Sequence, residues 1–362
     1  MPLKIFIPDW TDDYDRPYCV PPLYPFLRND KTQEQLIETY GAWIENVEIV
    51  NALEDCDVVV LLYELRYYYL KNNIKELQSI NARAAASNKV TICWVKGDEG
   101  ITPKLFNFQL YRPGGYKSRN KGNQFCIPVF IEDPVKKYFE DQLPLIYNKS
   151  EKPVIGFCGQ GRASMEKWAI DIFRGIKRRV LSFAGKWPYD LEVLISSTQR
   201  RSQILDAIER SPLVRANFIR HTKYRAGSAT RQQKEETSRI YFQNMKESQY
   251  IVCYRGAGNF SVRLYETLAS GRIPVIILSD NNLPLPDRID WRIFPLIDES
   301  DWRKTAEIVY EYHSKLSDGE FVQLQQTARS IWENYLSYQG FFTHWSNKYV
   351  HNNQPGFVPA NS

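Results

Sequence analysis

The chain has 362 residues, 43% hydrophobic and 25% charged, with a formal net charge of +5. That length allows two domains with a core each, and the balance excludes a disordered, collagenous or disulfide-scaffold protein. The modest positive charge suits an anionic small substrate or a membrane surface and is too weak to argue for a nucleic acid partner.

Leu3–Ile7 reads as a first core strand, and neither a signal-peptide core nor an apolar run of ~18 residues occurs. Val58–Tyr63 and Val90–Val95 are continuous apolar runs rich in β-branched residues, the pattern of strands buried on both faces. Between them Tyr68–Ala86 carries Leu70, Ile74, Leu77 and Ile80 at helical spacing, which predicts a βαβ unit. Residues 141–153 are polar, contain Pro144 and Pro153, and break the periodicity, so the linker is placed there.

A second series starts with the strand Val154–Cys158, a helix over Ser164–Ser182 and a strand-like run at Leu191–Ile195. Gly185–Tyr189 and Arg215–Arg231 read as polar or basic loops, the latter suited to an acidic glycan, a lipid-linked diphosphate or RNA if it is more than a solvated loop. Tyr250–Cys253 and Ile273–Leu278 are further strands, joined by a glycine turn and a helix that Gly271 ends. After Asp298 the pattern is helical only, at Trp302–Leu316, Glu320–Tyr335 and Phe341–Tyr349. The expected organisation is α/β: a Rossmann-like domain at 1–148, a second Rossmann-like domain at 153–335, and a helix and tail at 336–362 returning to the first.

Cys19, Cys56, Cys93, Cys126, Cys158 and Cys253 have no C-x-x-C spacing and mostly sit in or beside apolar runs, so buried free thiols are expected. With no leader in view, that points to a soluble cytoplasmic enzyme. His221, His313, His344 and His351 show no metal-ligand spacing.

The chemistry concentrates between Tyr250 and Ile277. A strand, a glycine turn carrying Arg255, Gly256 and Gly258, a helix and a second strand form the arrangement that holds a phosphorylated ligand at a helix N-terminus. Arg255 and Arg263 would point at one anion, with Ser261 as a further donor. Glu266 would accept from two ribose hydroxyls; the competing reading is a surface i,i+3 ion pair between Arg263 and Glu266. The pattern suggests a nucleotide-sugar site.

Residues 241–297 include Arg255-Gly256, then S-V-R-L-Y-E from Ser261 to Glu266, G-R-I-P-V from Gly271 and W-R-I-F from Trp291. In that order they resemble the exostosin domain of the family-47 glycosyltransferases. Gly156–Arg162 is similar to the F-x-G-x-x-R strand and loop that opens this family's donor domain, and Asp57–Tyr63 to its acidic-to-apolar strand. The resemblance implies a GT-B fold, inversion at the anomeric carbon and a UDP-sugar donor. It implies further that Arg162, Arg255 and Arg263 contact the diphosphate, Glu266 the ribose, and the turn Gly256, Gly258, Asn259 and Ser261 the sugar and phosphate. Eukaryotic members usually carry a membrane anchor; its lack here implies a bacterial or viral relative.

The general base is expected across the cleft, at the carboxyl end of a first-domain strand, where Asp9, Glu64 and Asp98 stand. The family's H-D-x-G reads Gly97, Asp98, Glu99, Gly100 here, without the histidine. The stretch Val95–Phe108 also resembles bacterial α-1,3-fucosyltransferases, whose acid at the Asp98 position makes Asp98 the first choice. Asp55 and Asp57 spell D-x-D but precede a strand, so no metal site is assigned to them, and Asp12, Asp13 and Asp15 form an acidic loop. The expected enzyme is an inverting, metal-independent glycosyltransferase with no cofactor beyond its nucleotide-sugar co-substrate. Its expected partners are a glycan or glycolipid acceptor and a peripheral membrane contact, with no nucleic acid. The rival readings are a fucosyltransferase-like enzyme using a GDP-sugar and a non-catalytic glycan- or nucleotide-binding module.

Overall fold

The computed structural model describes residues 2–8, 10, 13–27, 31–139, 146–162 and 165–352. Six strands form the first sheet: β1 (Leu3–Phe6), β2 (Val47–Val50), β3 (Val58–Val60), β4 (Val90–Trp94), β5 (Phe108–Arg112) and β6 (Gln124–Cys126). Every pair is parallel, in the order β2-β1-β3-β4-β5-β6. A second parallel sheet has the order β11-β10-β9-β7-β8, built from β7 (Val154–Gln160), β8 (Arg215–His221), β9 (Tyr250–Cys253), β10 (Ile273–Leu278) and β11 (Leu296–Asp298). Parallel neighbours need crossovers, and helices supply them. These are α1 (Gln33–Tyr40), α2 (Leu65–Leu70), α3 (Ile74–Ala86) and α4 (Pro134–Tyr138) in the first half. In the second half α5 (Met165–Phe183), α6 (Ser197–Glu209), α7 (Arg231–Lys246) and α8 (Val262–Ala269) follow. The chain closes with α9 (Thr305–Lys315), α10 (Asp318–Ile331) and α11 (Tyr338–Asn352).

Local chemistry sets the boundaries. Thr32, Thr230 and Ser317 each accept from a backbone N–H of the first turn and receive a Gln or Glu side chain in return, so α1, α7 and α10 start on capping boxes. Gly271, at φ 65°, takes the left-handed conformation that ends α8 and launches β10.

Three sequence expectations are corrected. The single helix over Tyr68–Ala86 is two helices, because Asn72 turns left-handed (φ 57°) between α2 and α3. Leu191–Ile195 is no strand: Val193, Leu194 and Ile195 lie exposed, and the segment docks on the first sheet's loops. The basic stretch from Arg215 begins as β8, an edge strand bonded on one side to β7, where charged side chains can reach solvent.

Each sheet has its own core. The second is centred on Tyr250–Cys253, Ile273–Ile277, Leu268 and Phe321. One face of the first buries Leu3, Ile5, Trp43 and Trp94 against Phe341, Phe342 and Trp345 of α11. Phe342 stacks on Trp43 with centroids 5.0 Å apart, and the Tyr111 and Tyr349 hydroxyls bond at 2.6 Å. Two Rossmann-like parallel sheets with a last helix crossing back to the first constitute the GT-B architecture. Among the described residues no helix is long and apolar enough to cross a membrane.

Candidate functional site

β9 is buried throughout, so it fixes the turn that follows it. That turn closes on itself through the Gly256 N–H and the Phe260 carbonyl at 3.0 Å. The α8 N-terminus then opens at Ser261, whose hydroxyl makes no capping bond. First-turn N–H groups left uncapped by a side chain are donors for an anion.

Arg263 folds back from α8 to the end of β7. Its Nη2 donates to the Cys158 carbonyl at 2.8 Å, and its guanidinium lies 4.2 Å over the Phe157 ring. Glu266 accepts from the buried Tyr241 hydroxyl. Burial above all, then the Glu266 charge, pushes the Tyr241 phenol well up. Arg263 and Glu266 therefore both face the junction of α7, α8 and β7, which is not where a surface ion pair would lie.

Arg201, on α6, reaches the same junction. It is 9% exposed, donates to the Gln160 carbonyl at 2.8 Å and the Arg255 carbonyl at 2.7 Å, and makes no salt bridge among the described residues. Burial first, then the neighbouring Arg263 charge, draws its pKa down to about 10. The Nε atoms of Arg201, Arg255 and Arg263 are buried without a hydrogen-bond partner. Among the described residues Arg201 is held by carbonyls alone, whereas Arg263 also faces Tyr241 and Glu266; an adjoining cation without a counter-charge, with donors to spare, favours an anion beside it.

Arg255 is differently placed. It is 7% exposed and pairs with Glu192, from the loop between α5 and α6, while its Nη1 donates to the Tyr116 hydroxyl at 3.1 Å. Burial works against its charge, but Tyr116 and Glu192 outweigh that and hold its pKa up. Asn259 is fully engaged, donating to the Gly115 and Ser279 carbonyls at 3.0 and 3.1 Å and accepting from the Ser279 hydroxyl at 2.7 Å. It locks the turn to the first domain. Arg162 is exposed beside β8 and rims an open basin of about 220 Å³ with Arg220, His221 and Lys223.

The first domain meets this turn through Asp98. A Cβ on Gly258 would come within 2.8 Å of the Asp98 carbonyl oxygen and 3.0 Å of its Cα, so glycine is what lets the loop approach. Asp98 is exposed, whereas its neighbour Glu99 is ion-paired with Arg178 of α5 at 2.6 Å. Glu64 is buried at the end of β3, where its Oε2 accepts from the Lys96 backbone at 3.1 Å. Asp9 and Asp12 lie outside the described residues. Asp57 binds the Lys4 backbone N–H at 2.8 Å. Among the described residues no three His, Cys, Asp or Glu side chains gather as metal ligands.

The fold thus brings together Arg263, Glu266, Ser261 and the Asp98–Gly258 contact, and sets Arg162 at the rim. Arg201, Glu192, Tyr116 and Tyr241 went unread in the sequence. Arg201 sits in an ordinary-looking polar helix, and the carbonyls that capture it lie 41 and 54 residues away.

No curated protein matches the chain in sequence. Several solved structures are similar in shape at low identity. A glycosyltransferase from Rickettsia africae is 11% identical, covers 98% of this chain and 100% of its own, and has a TM-score of 0.34. HepE of Anabaena, in complex with UDP, is 8% identical, with 97% and 100% covered and a TM-score of 0.34. A mutant TarM of S. aureus, in complex with fondaparinux, alpha-GlcNAc-glycerol and UDP, is 11% identical, with 77% of this chain covered and a TM-score of 0.31; this chain spans only 57% of its length. Residues 153–310 match the model of the Exostosin GT47 domain, a stretch that holds β7 to β11 and every candidate donor residue. Residues 153–310 are thus similar to the exostosin domain of the GT47 glycosyltransferases, and the two Rossmann-like sheets of the chain form a GT-B fold.

Proposed function

We propose that the chain is an inverting, metal-independent glycosyltransferase that moves a sugar from a UDP-sugar to a glycan or glycolipid hydroxyl. The observation that carries this reading is the pair Arg201, buried, and Arg263, half-buried, whose guanidinium groups rest on carbonyls with unused Nε–H donors near the N-terminus of α8. A diphosphate laid between them satisfies those donors and neutralises two adjacent cations. Arg162 adds charge from the rim, and Glu266 takes ribose hydroxyls. Arg255 joins them once it leaves Glu192.

Across the contact at Gly258, the Asp98 carboxylate takes the acceptor proton as the acceptor oxygen attacks the anomeric carbon. The bond from that carbon to the diphosphate oxygen breaks, and the departing UDP carries its charge into the guanidinium pair. Fixed cations and helix N–H groups do here what a divalent ion does elsewhere.

Thermal shift with UDP, GDP and their sugar conjugates is the direct test. UDP compounds should stabilise the wild type and leave Arg263→Ala unmoved; stabilisation by GDP-sugars alone would establish the fucosyltransferase-like reading instead. Asp98→Asn should keep the shift and lose turnover by about 100-fold or more, with wild-type activity unchanged by EDTA. An active Asp98→Asn enzyme would remove Asp98 as the base, and nucleotide binding without hydrolysis or transfer by the wild type would leave a binding module.

A further inference from the structure

The helix α5 is built inside out. A surface helix normally turns its apolar stripe to the core and its charges to water. Here the inward face is polar: Asp171 accepts from the Ser196 hydroxyl at 2.8 Å, Arg178 pairs with Glu99 at 2.6 Å, and Arg179 donates to the Glu192 carbonyl at 3.0 Å. The outward face carries Phe173, Ile176, Val180 and Phe183, spaced 3, 4 and 3 apart, and these are 68%, 48%, 63% and 97% exposed. A continuous exposed apolar stripe of this kind marks a surface that meets something.

The charges around the stripe identify the occupant. From Ile172 to Tyr189 there is no acidic residue, whereas Arg174, Lys177, Arg178, Arg179 and Lys186 are basic. Arg174 and Lys177 lie exposed beside Phe173 and Ile176. A second copy docked by the same stripe would set these cations against their own equivalents, which disfavours a symmetric pair. A layer of anionic headgroups over a hydrocarbon boundary answers both features, since an apolar stripe flanked by Lys and Arg is how a helix lies in the plane of a bilayer surface.

We propose that α5 is a membrane-surface helix. Phe173, Ile176, Val180 and Phe183 enter the headgroup boundary of an anionic bilayer, and Arg174 and Lys177 contact its phosphates. The Arg178–Glu99 pair fixes α5 beside the loop that carries Asp98, so docking holds the cleft against the bilayer. The binding itself is independent of the transferase reading; the further implication, that the acceptor is lipid-linked, rests on it.

Vesicle flotation of the full chain tests this. Wild type should float with phosphatidylcholine vesicles containing phosphatidylglycerol, should not float with phosphatidylcholine alone, and should be released by high salt. Phe173→Ser with Val180→Ser, and separately Arg174→Glu with Lys177→Glu, should each weaken binding about tenfold or more while leaving the melting temperature and the nucleotide-induced shift intact. Wild type that stays unbound, or variants that bind as it does, would overturn the proposal. So would a dimer in solution that the serine variant dissolves with no change in flotation.

Discussion

Arg201 and His313 show how much a single buried group can report. A guanidinium that is 9% exposed and held only by carbonyls keeps its charge at a cost in solvation that a bound anion would offset. Replacing Arg201 with Met removes one charge-assisted contact of about 1.5–3 kcal/mol, so nucleotide affinity measured by calorimetry should drop roughly 10- to 150-fold. Unchanged affinity would mean that the cation serves only to tie β7 to the turn. His313 is buried between the Tyr250 hydroxyl at 2.9 Å on Nδ1 and the Ser150 carbonyl at 2.7 Å on Nε2, an arrangement that suits the neutral ring. Burial first, opposed by the Ser150 bond and aided by Lys149, lowers its pKa below the ordinary 6.5. The unfolded chain then takes up the proton first as pH falls. Stability is therefore full above pH 6.5 and declines as pH drops below it towards the folded-state value. His313→Gln should melt lower near neutral pH and show a shallower fall between about pH 7 and pH 5. His344 shifts the same way but is present in both proteins, so the difference between the two curves belongs to His313.

The loop between α5 and α6 is the element that joins the two halves at the cleft. Asp190 bonds Arg112 at 2.6 Å and Thr102 at 3.1 Å, the Leu191 carbonyl accepts from Arg119 at 2.6 Å, and Glu192 takes both Arg255 and the Tyr116 hydroxyl. Glu192 thus occupies Arg255 with an anion of the protein's own, and under the proposed function a donor diphosphate would have to displace it. Glu192→Gln should lower the melting temperature of the free protein, since a largely buried pair is lost, and enlarge the shift produced by UDP. An unaltered shift would show that Arg255 never leaves its partner. The sequence revealed little of this loop: Leu191–Ile195 has the apolar composition of a strand, but its backbone groups are engaged by side chains of remote arginines and tyrosines. By contrast β9, β10 and the glycine turn between them were legible residue for residue, because strands buried on both faces need unbroken apolar runs and the turn needs glycine. The contact of Asp98 with Gly258 joins residues 160 apart, and no local pattern encodes that distance.

For the molecule as a whole, α11 decides whether the two domains are one folding unit. Phe342 is fully buried and touches Trp43, Trp94 and Phe130, so Phe342→Ala should cost about 3–5 kcal/mol. Because the loss falls on the first core, unfolding followed by tryptophan fluorescence should split into two transitions, with the nucleotide-stabilised one retained. A single lowered transition would show that the domains unfold together. The same helix also sets a schedule for synthesis. Trp43 and Trp94 leave the ribosome early, but the side chains that cover them belong to Phe341–Tyr349. At ~5–20 residues per second, the first sheet waits on the order of tens of seconds for its cover while the entire second domain is made and can fold. The half synthesised first is thus the half completed last. In the interval its tryptophan-lined face is open to chaperones, and a stalled chain lacking α11 would hold a finished second sheet beside an unfinished first one.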